Sequence, residues 1–412
     1  MTKGVRTLFV ILLAAAAVQL HAADELPPED AVRRALESHP AVLAALAGVQ
    51  QREAASRALA AGTYELNMRL SADRRREEAL GQNLPEYALD LERPFRLGRK
   101  AELDAELGRQ GVAEAKLAVG DAMHEASREL LRGWFDWLRA AAQGRDWTAQ
   151  AQLLEQQLGS VDRRVRRGDA PRQERILAES AFEQASSQAL LAEARAAAAA
   201  VQLTSGFPGV PIPAAPPVVA LKPLEGDALG WRERIVKHNH ELALARAEAQ
   251  RLQTAAARAD ANRTPDPTLG ARLSSERDGA EKTLGFSVGF PLPGEARGAT
   301  AQAASAETRA ALQREALVLR RLEAQTAALY QLASRSYEAA ERAERADDGL
   351  QRNAELAGRA YALGELGLAD VIAARRIAIE ARLAASLAKL DAAEARYRLM
   401  LDAHELWAID NE

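Results

Sequence analysis

The chain has 412 residues and a formal net charge of -4, a charge balance that does not favour a nucleic-acid partner. Aromatic residues make up only 4% of it, which argues against large compact cores and is typical of long helices packed closely along their length. The absence of cysteine excludes disulfides, a cysteine nucleophile and a lipid attached to an N-terminal cysteine.

The start of the chain has the pattern of a secretory signal peptide. Lys3 and Arg6 precede a short apolar run that ends in small residues, and we expect cleavage after Ala22 or Ala23. The run is too short for an N-terminal membrane anchor, and no later apolar run is long enough for a membrane helix. The sequence therefore predicts an exported protein whose signal peptide covers residues 1–22.

Residues 23–205 form the first of two predicted repeats, in which helices flank a β-hairpin. Apolar and polar residues alternate strictly over 64–72, which predicts a strand with one face of each kind and about the length needed to cross a bilayer. The repeat comprises a short helix at 29–37, a longer helix at about 40–61, a hairpin at about 64–94 with a polar loop over 73–86, a helix over about 99–160, a tight turn at 163–171 and a helix over about 172–204. A helix of about 60 residues would be roughly 90 Å long, too long for a globular domain to enclose.

A proline-rich connector at 206–226 leads to a second repeat, residues 227–412, with the same order of elements. Its predicted elements are helices over 227–237 and 239–262, a hairpin at about 268–290 with a loop over 276–282, a helix over about 296–362, a turn at Gly364 and Gly367, and a helix over about 368–404. The strand at 66–71 matches the strand at 269–274 in pattern. A hairpin that recurs at the same place in both halves indicates an internal duplication.

The alternation in the four strands predicts which side chains face lipid and which face a wet lumen. The lipid-facing set is Tyr64, Leu66, Met68, Leu70, Leu89, Leu91, Leu269, Leu273, Leu284, Phe286, Val288 and Phe290. The lumen-facing set is Glu65, Asn67, Arg69, Asp90, Glu92 and Arg272. Four strands cannot close a barrel and would leave open backbone edges in lipid, whereas three chains would supply twelve strands. Two chains would supply eight, too few for a channel, so the sequence predicts that three copies of the chain close one barrel in lipid.

The order and spacing of these features resemble the TolC-type outer-membrane efflux family over essentially the whole mature chain. The resemblance rests on the duplicated helix–hairpin–helix plan, on the segments at 239–242 and 265–269, and on the turn at 363–371. It implies a mainly α fold with membrane β: a homotrimeric twelve-stranded outer-membrane barrel on a long periplasmic α-barrel, with the connector in a belt around the middle. It also implies a passive exit duct of a tripartite efflux system, whose partners are a periplasmic adaptor and an inner-membrane transporter of the RND type.

The same resemblance implies a closed periplasmic tip formed by the two helical turns. The implied adaptor-docking residues are Arg167, Gly168, Asp169, Gly364, Glu365, Leu366 and Gly367. Asp370 matches the first of two acidic positions that narrow the entrance in many members, while the second is Ala373 here. The alternative for Asp370 is an acid at a helix N-terminus that complements the helix dipole.

The substrate is less constrained than the architecture. The segment at 92–97, Glu-Arg-Pro-Phe-Arg-Leu, resembles the branch that serves heavy-metal pumps of the cobalt–zinc–cadmium type. Drug or solvent efflux and type I protein secretion stay open. A different class, a periplasmic coiled-coil scaffold whose strands form a small soluble sheet, does not explain strands with one uniformly apolar face.

The remaining residues give no sign of an enzyme or of a cofactor site. There is no Gly-rich phosphate loop and no HExxH pattern, and His238 and His240 lack acidic ligands at a metal spacing, so no metal or other cofactor is expected. Trp134 and Trp137, at near-helical spacing, are expected to pack in a core. The basic run at 74–76 is expected in an outer loop, either near anionic lipid headgroups or simply solvated.

Overall fold

The structure is a computed structural model that describes residues 25–62, 64–79 and 81–407, so the predicted signal peptide lies outside the described residues. The mainly helical fold with four strands is confirmed. The elements are α1 (Glu29–Glu37), α2 (Pro40–Ala61), β1 (Asn67–Glu77), β2 (Gln82–Pro94), α3 (Lys100–Arg167), α4 (Arg172–Gly206), α5 (Ala228–His238), α6 (His240–Ala261), β3 (Thr268–Glu276), β4 (Glu281–Gly289), α7 (Glu295–Leu363) and α8 (Leu368–Asp402).

Two rods, α3 and α7, dominate the molecule. They contain 68 and 69 residues, so each is about 100 Å long at 1.5 Å per residue. The predicted turn at 163–171 is wrong in its first half, because α3 continues through Arg167. The basic residues there keep helical spacing, and the Arg166 guanidinium lies 2.6 Å from the Asp162 carboxylate one turn earlier.

The two turns at the far ends of the rods have the same geometry. Gly168 and Gly364 have φ values of 82° and 81°, in the left-handed region that a side chain disfavours. The amide of Asp169 donates to the carbonyl of Arg164, and the amide of Glu365 donates to that of Ala360, both at 2.9 Å. This is the Schellman arrangement that ends a helix at glycine, and its presence in both halves supports the duplication.

The four strands form one antiparallel sheet in the order β1-β2-β3-β4, so β2 of the first half pairs with β3 of the second. The predicted polar loop over 73–86 is wrong, because β1 runs to Glu77 and β2 begins at Gln82. Charged side chains do not end this ladder: Arg75 lies 2.9 Å from Glu86 across the strands. The backbone hydrogen bonds of a ladder do not depend on apolar side chains, so apolar content alone does not show where a strand ends. The second predicted loop, at 276–282, is shorter in the same way, since β3 runs to Glu276 and β4 begins at Glu281.

The largest hydrophobic core lies at the middle of the rods. Trp134 and Trp137 of α3 are 2% and 4% exposed, with ring centroids 4.9 Å apart, so their predicted packing role is confirmed. Val210 and Val219 of the connector are buried in the same cluster. A second cluster surrounds Trp231 of α5 against α7 and α8. None of the helices in the described part of the chain is both long and apolar enough to span a membrane.

Candidate functional site

One face of the sheet carries rows of apolar side chains, most of them exposed, with Leu89, Leu91 and Ala271 half-buried. The strand register aligns Met68 with Leu91, Ala271 and Phe286, and it aligns Leu70 with Leu89, Leu273 and Leu284. A third row joins Leu269 and Val288 and begins with Arg93 of β2, at the end of the sheet nearest the helices. Met68, Leu70 and Phe286 are 65%, 71% and 82% exposed in the protomer. Leu66 precedes β1 and Phe290 follows β4, and both are exposed as well. A face of this kind is normally covered by lipid or by another chain.

The opposite face of the sheet is polar and cross-linked by charges. The register aligns Asn67 with Glu92, and Arg69 with Asp90 and Arg272. The guanidinium of Arg272 lies 3.7 Å from the Asp90 carboxylate. The structure thus brings five of the six predicted lumen residues onto one face, while Glu65 precedes β1.

Tyr64 does not join the apolar rows. It lies before β1, is half-buried, and its hydroxyl donates to Asp266 at 2.8 Å. The guanidinium of Arg96 stands 5.0 Å from the centre of its ring. This geometry does not favour the predicted lipid-facing position of Tyr64, because the Tyr64 hydroxyl is hydrogen-bonded to a carboxylate of the second repeat.

A buried ion pair joins the two repeats where the sheet meets the helices. The ammonium of Lys100, which is 1% exposed, lies 2.7 Å from Asp266 and donates to the carbonyl of Thr264 at 2.6 Å. Asp266 also accepts the amide hydrogen of Leu97 at 2.9 Å. Burial works to raise the pKa of Asp266, but the bonds from Lys100, Leu97 and Tyr64 outweigh it and hold that pKa below its ordinary value.

A second carboxylate at this junction, Asp104, repeats the pattern. It accepts from Arg96 of the first repeat at 3.1 Å and from Arg258 of the second at 2.6 Å. Arg96 also donates to the carbonyls of Leu59 and Ala60, which lie in the last turn of α2.

This junction between sheet and helices was not predicted from the sequence. Its visible signals were an aspartate between two prolines at 265–267 and a lysine in the first turn of α3, where a cation opposes the helix dipole.

At the far end, a polar contact links the two helical hairpins near the turns. The hydroxyl of Tyr361 in α7 donates to Glu174 in α4 at 2.7 Å. The guanidinium of Arg164 stands 4.9 Å from the centre of the Tyr361 ring. Burial and the bond to Glu174 raise the pKa of Tyr361 to about 12. This contact was not predicted, because it joins residues 187 apart in the sequence.

We expect Tyr361→Phe to loosen this end of the molecule by about 1 kcal/mol, because it removes a hydrogen bond to a charged but partly solvated acceptor. Amide hydrogen exchange at 158–178 should accelerate about fivefold, the equivalent of that free energy. Tyr337→Phe is the matched control, since the Tyr337 hydroxyl donates to Glu341 one turn away on the same helix and bridges nothing. Equal exchange in both variants would contradict a linking role.

The raised pKa of Tyr361 gives this contact a pH dependence of known sign. A phenol whose folded pKa lies above its ordinary value of 10.0 contributes stability that is fully present below pH 10. That contribution is lost as the pH rises towards about 12, where the phenol ionises opposite Glu174.

The other residues of the predicted tip are exposed, and Asp370 has a local partner. Asp169, Glu365 and Leu366 all lie on the surface of the turns. The carboxylate of Asp370 accepts the amide hydrogen of Gly367 at 3.3 Å, at the start of α8. The helix-capping alternative for Asp370 is thus the one seen in the protomer, and a role in an entrance gate stays a prediction.

Four histidines meet beside the core at the middle of the molecule. Ring centroids in this group are 4.9 to 6.1 Å apart, and its members are His124, His238, His240 and His404. Burial lowers the pKa of His124 to about 3, with help from the nearby Arg128 cation. Across residues 25–62, 64–79 and 81–407, no group of three or more histidine, cysteine or acidic side chains is arranged to hold a metal ion.

Comparisons with known proteins identify the architecture. No family model and no curated protein matches the chain. Among solved structures, the channel-forming protein CusC is similar over 91% of both chains, with 16% identity and a TM-score of 0.79. The outer-membrane protein VceC of Vibrio cholerae is similar over 92% of this chain and 95% of its own, with 16% identity and a TM-score of 0.73. The outer-membrane channel CmeC of Campylobacter jejuni is similar over 93% of this chain and 87% of its own, with 13% identity and a TM-score of 0.72.

These similarities run through nearly the full length of each protein, so they include the long helices, the sheet and both repeats. The TM-scores of 0.72 to 0.79 establish a shared architecture, and at identities of 13–16% the similarity shows the fold alone. The chain therefore has the fold of the TolC-type outer-membrane channels.

Proposed function

We propose that the chain is one third of a passive exit duct in a Gram-negative outer membrane. The observation that carries the proposal is the sheet with one exposed apolar face and one charged face, mounted on helices about 100 Å long. The outer edges of β1 and β4 have no partner strand within the described chain. Open edges are not tolerated in lipid, so β4 of one copy would pair with β1 of the next and three copies would close a barrel of twelve strands.

The proposed partners rest on the family resemblance. CmeC is described as an outer-membrane channel and VceC as an outer-membrane protein. The resemblance to TolC-type channels implies a periplasmic adaptor and an inner-membrane transporter of the RND type. The exposed residues of the two turns, which repeat the same backbone geometry in both halves, are the proposed adaptor-docking surface. The set comprises Arg167, Gly168, Asp169, Gly364, Glu365, Leu366 and Gly367.

The test is to express the full chain and separate the cell membranes from soluble protein without detergent. We expect the protein in the outer-membrane fraction, extractable with detergent as a trimer, and conducting ions when that trimer is added to a planar lipid bilayer. Release as a soluble monomer would contradict the duct and support the periplasmic scaffold instead.

For the substrate, we propose heavy-metal cations. The support is the resemblance of the segment at 92–97 to the heavy-metal branch, together with carboxylates at Asp90 and Glu92 on the polar face. Deleting the gene should lower tolerance to at least one of zinc, cobalt, cadmium or copper, and re-expression of the chain should restore it. Unchanged tolerance to all four metals would contradict the metal assignment. Lost tolerance to drugs or solvents, or a block in protein secretion, would assign the duct to those systems.

A further inference from the structure

Three cations lie on the apolar face of the sheet, between its last row of leucines and the hairpin ends. Residues 70, 72, 74 and 76 of β1 share that face, so Arg74 and Arg76 continue the line of Met68 and Leu70. Their Cα atoms lie about 14 Å and about 20 Å beyond that of Leu70 at 3.4 Å per residue. Lys282 of β4 is in the first row beyond the leucines, aligned through Ser275 with Tyr87. All three cations are exposed, and they are called the basic rim below.

The neighbouring Arg75 shows what a cation on the other face does. Its guanidinium lies 2.9 Å from Glu86 and 3.9 Å from Glu276, so two carboxylates neutralise it on the polar face. Within the part of the chain that the structure describes, neither Arg74 nor Arg76 has an ion-pair partner. Arg74 and Arg76 on the apolar side are therefore not neutralised by a carboxylate, whereas Arg75, which lies between them in the chain, is neutralised on the polar face.

The position of the basic rim selects a ligand that is anionic and also anchored in hydrocarbon. A group that contacts the rim while its tails cover Leu70 and Leu284 must be amphipathic, with its charge at the boundary of the apolar rows. Tyr87, in the same row as Lys282, is the kind of residue that lies at a membrane interface. Arginine binds phosphate oxygens in a fork, and both arginine and lysine extend along apolar surface to place their charge in a headgroup layer.

We propose that the basic rim binds the phosphate groups of a phosphorylated anionic lipid in the outer leaflet. The inference rests on the proposed function, because it requires the hairpin ends to lie at the outer surface of the membrane. Each protomer would hold one such site between β1 and β4 of adjacent copies, since those two strands carry Arg74, Arg76 and Lys282 and meet when the barrel closes. The site would then be completed only in the assembled trimer.

The experiment uses the full-length trimer, stripped of lipid in detergent, with diphosphoryl lipid A as the probe and native mass spectrometry as the readout. Each cation near an anionic lipid surface contributes about fivefold to binding. We therefore expect R74Q/R76Q to bind about 25-fold more weakly and the addition of K282Q to bring the loss to roughly 100-fold. R75Q is the matched control and should change binding less than twofold. Lipid A without phosphates should bind the native trimer as weakly as the triple variant binds the diphosphoryl form.

Three other outcomes would overturn the proposal. Equal losses in R75Q and R74Q/R76Q would mean that net charge alone attracts the lipid. Unchanged binding in the triple variant would remove the site. Displacement of lipid A by millimolar inorganic phosphate would assign a free-anion site instead. The melting temperature of each variant in lipid-free detergent should match that of the native trimer, which excludes misfolding. Conductance and trimer mass are measured on the same samples. A protein that does not form a conducting trimer is thereby distinguished from a conducting trimer whose basic rim does not bind lipid A.

Discussion

Asp266→Asn is expected to destabilise the protein by about 3–5 kcal/mol, the usual cost of removing one member of a buried ion pair. The substitution leaves the Lys100 ammonium, which is 1% exposed, with a neutral amide in place of a carboxylate 2.7 Å away. It also weakens the bonds from the Leu97 amide and the Tyr64 hydroxyl, which fix the start of α3 and the entry to β1. One side chain thus holds elements of both repeats at the junction between sheet and helices.

The measurement is the midpoint of thermal unfolding in detergent, followed by far-UV circular dichroism. Glu102→Gln is the matched control, because Glu102 pairs with Arg99, the residue next to Lys100, on a fully solvated surface. Such exposed pairs contribute little to stability because water screens them, so this variant should unfold close to the native midpoint. Equal midpoints for the two variants would contradict a structural role for the buried pair.

The lowered pKa of Asp266 sets the pH at which this stabilisation disappears. A carboxyl whose folded pKa lies below its ordinary value of 3.8 contributes stability that is present above that pH. The contribution is lost as the pH falls through the folded value. The difference in midpoint between the native protein and Asp266→Asn should therefore be constant near neutral pH and shrink in acid. A difference that grows in acid would mean that another group carries the effect.

The sequence was sufficient to predict those parts of the molecule that repeat with a regular period. Alternation of apolar and polar residues with a period of two identified the strands. The register confirms that Met68 and Leu70 share a face with Leu89 and Leu91. The absence of prolines and the recurrence of Gly168 and Gly364 located the rods and their turns. The predicted end of the first strand was wrong, because residues 73–77 are all charged and continue the strand without any apolar residue to indicate it.

Contacts between distant residues could not be predicted. Lys100 and Asp266 are separated by 166 residues, and Tyr361 and Glu174 by 187. Lysine, aspartate and tyrosine are common on the surfaces of helices and loops, so their presence in the sequence does not indicate a distant partner. The antiparallel pairing of β2 with β3, together with the packing of α3 against α6, brings the two halves close enough for Lys100 to lose its water and require a carboxylate.

The two faces of the sheet make the sharpest test of the duct, because adjacent residues of β4 should respond in opposite ways. Phe286→Arg places a cation in the middle apolar row, between Leu284 and Val288. An arginine on the lipid face near the middle of a bilayer costs about 2–4 kcal/mol, and a trimer would bear that cost three times. Folded trimer in the outer membrane should therefore be almost abolished.

Ser287→Arg is the matched control, one residue along the same strand. Ser287 aligns with Gly270 and Glu92 on the polar face, so the new guanidinium has water and a carboxylate beside it. Its amount of trimer should equal that of the native protein, measured as the species that stays assembled on an unheated denaturing gel of outer-membrane extract. The opposite result, with Phe286→Arg assembled and Ser287→Arg lost, would mean that the apolar rows face inward and that the charged face meets the surroundings. Loss of both variants would show that the charged face is also covered, because a face open to water should accept the arginine at position 287.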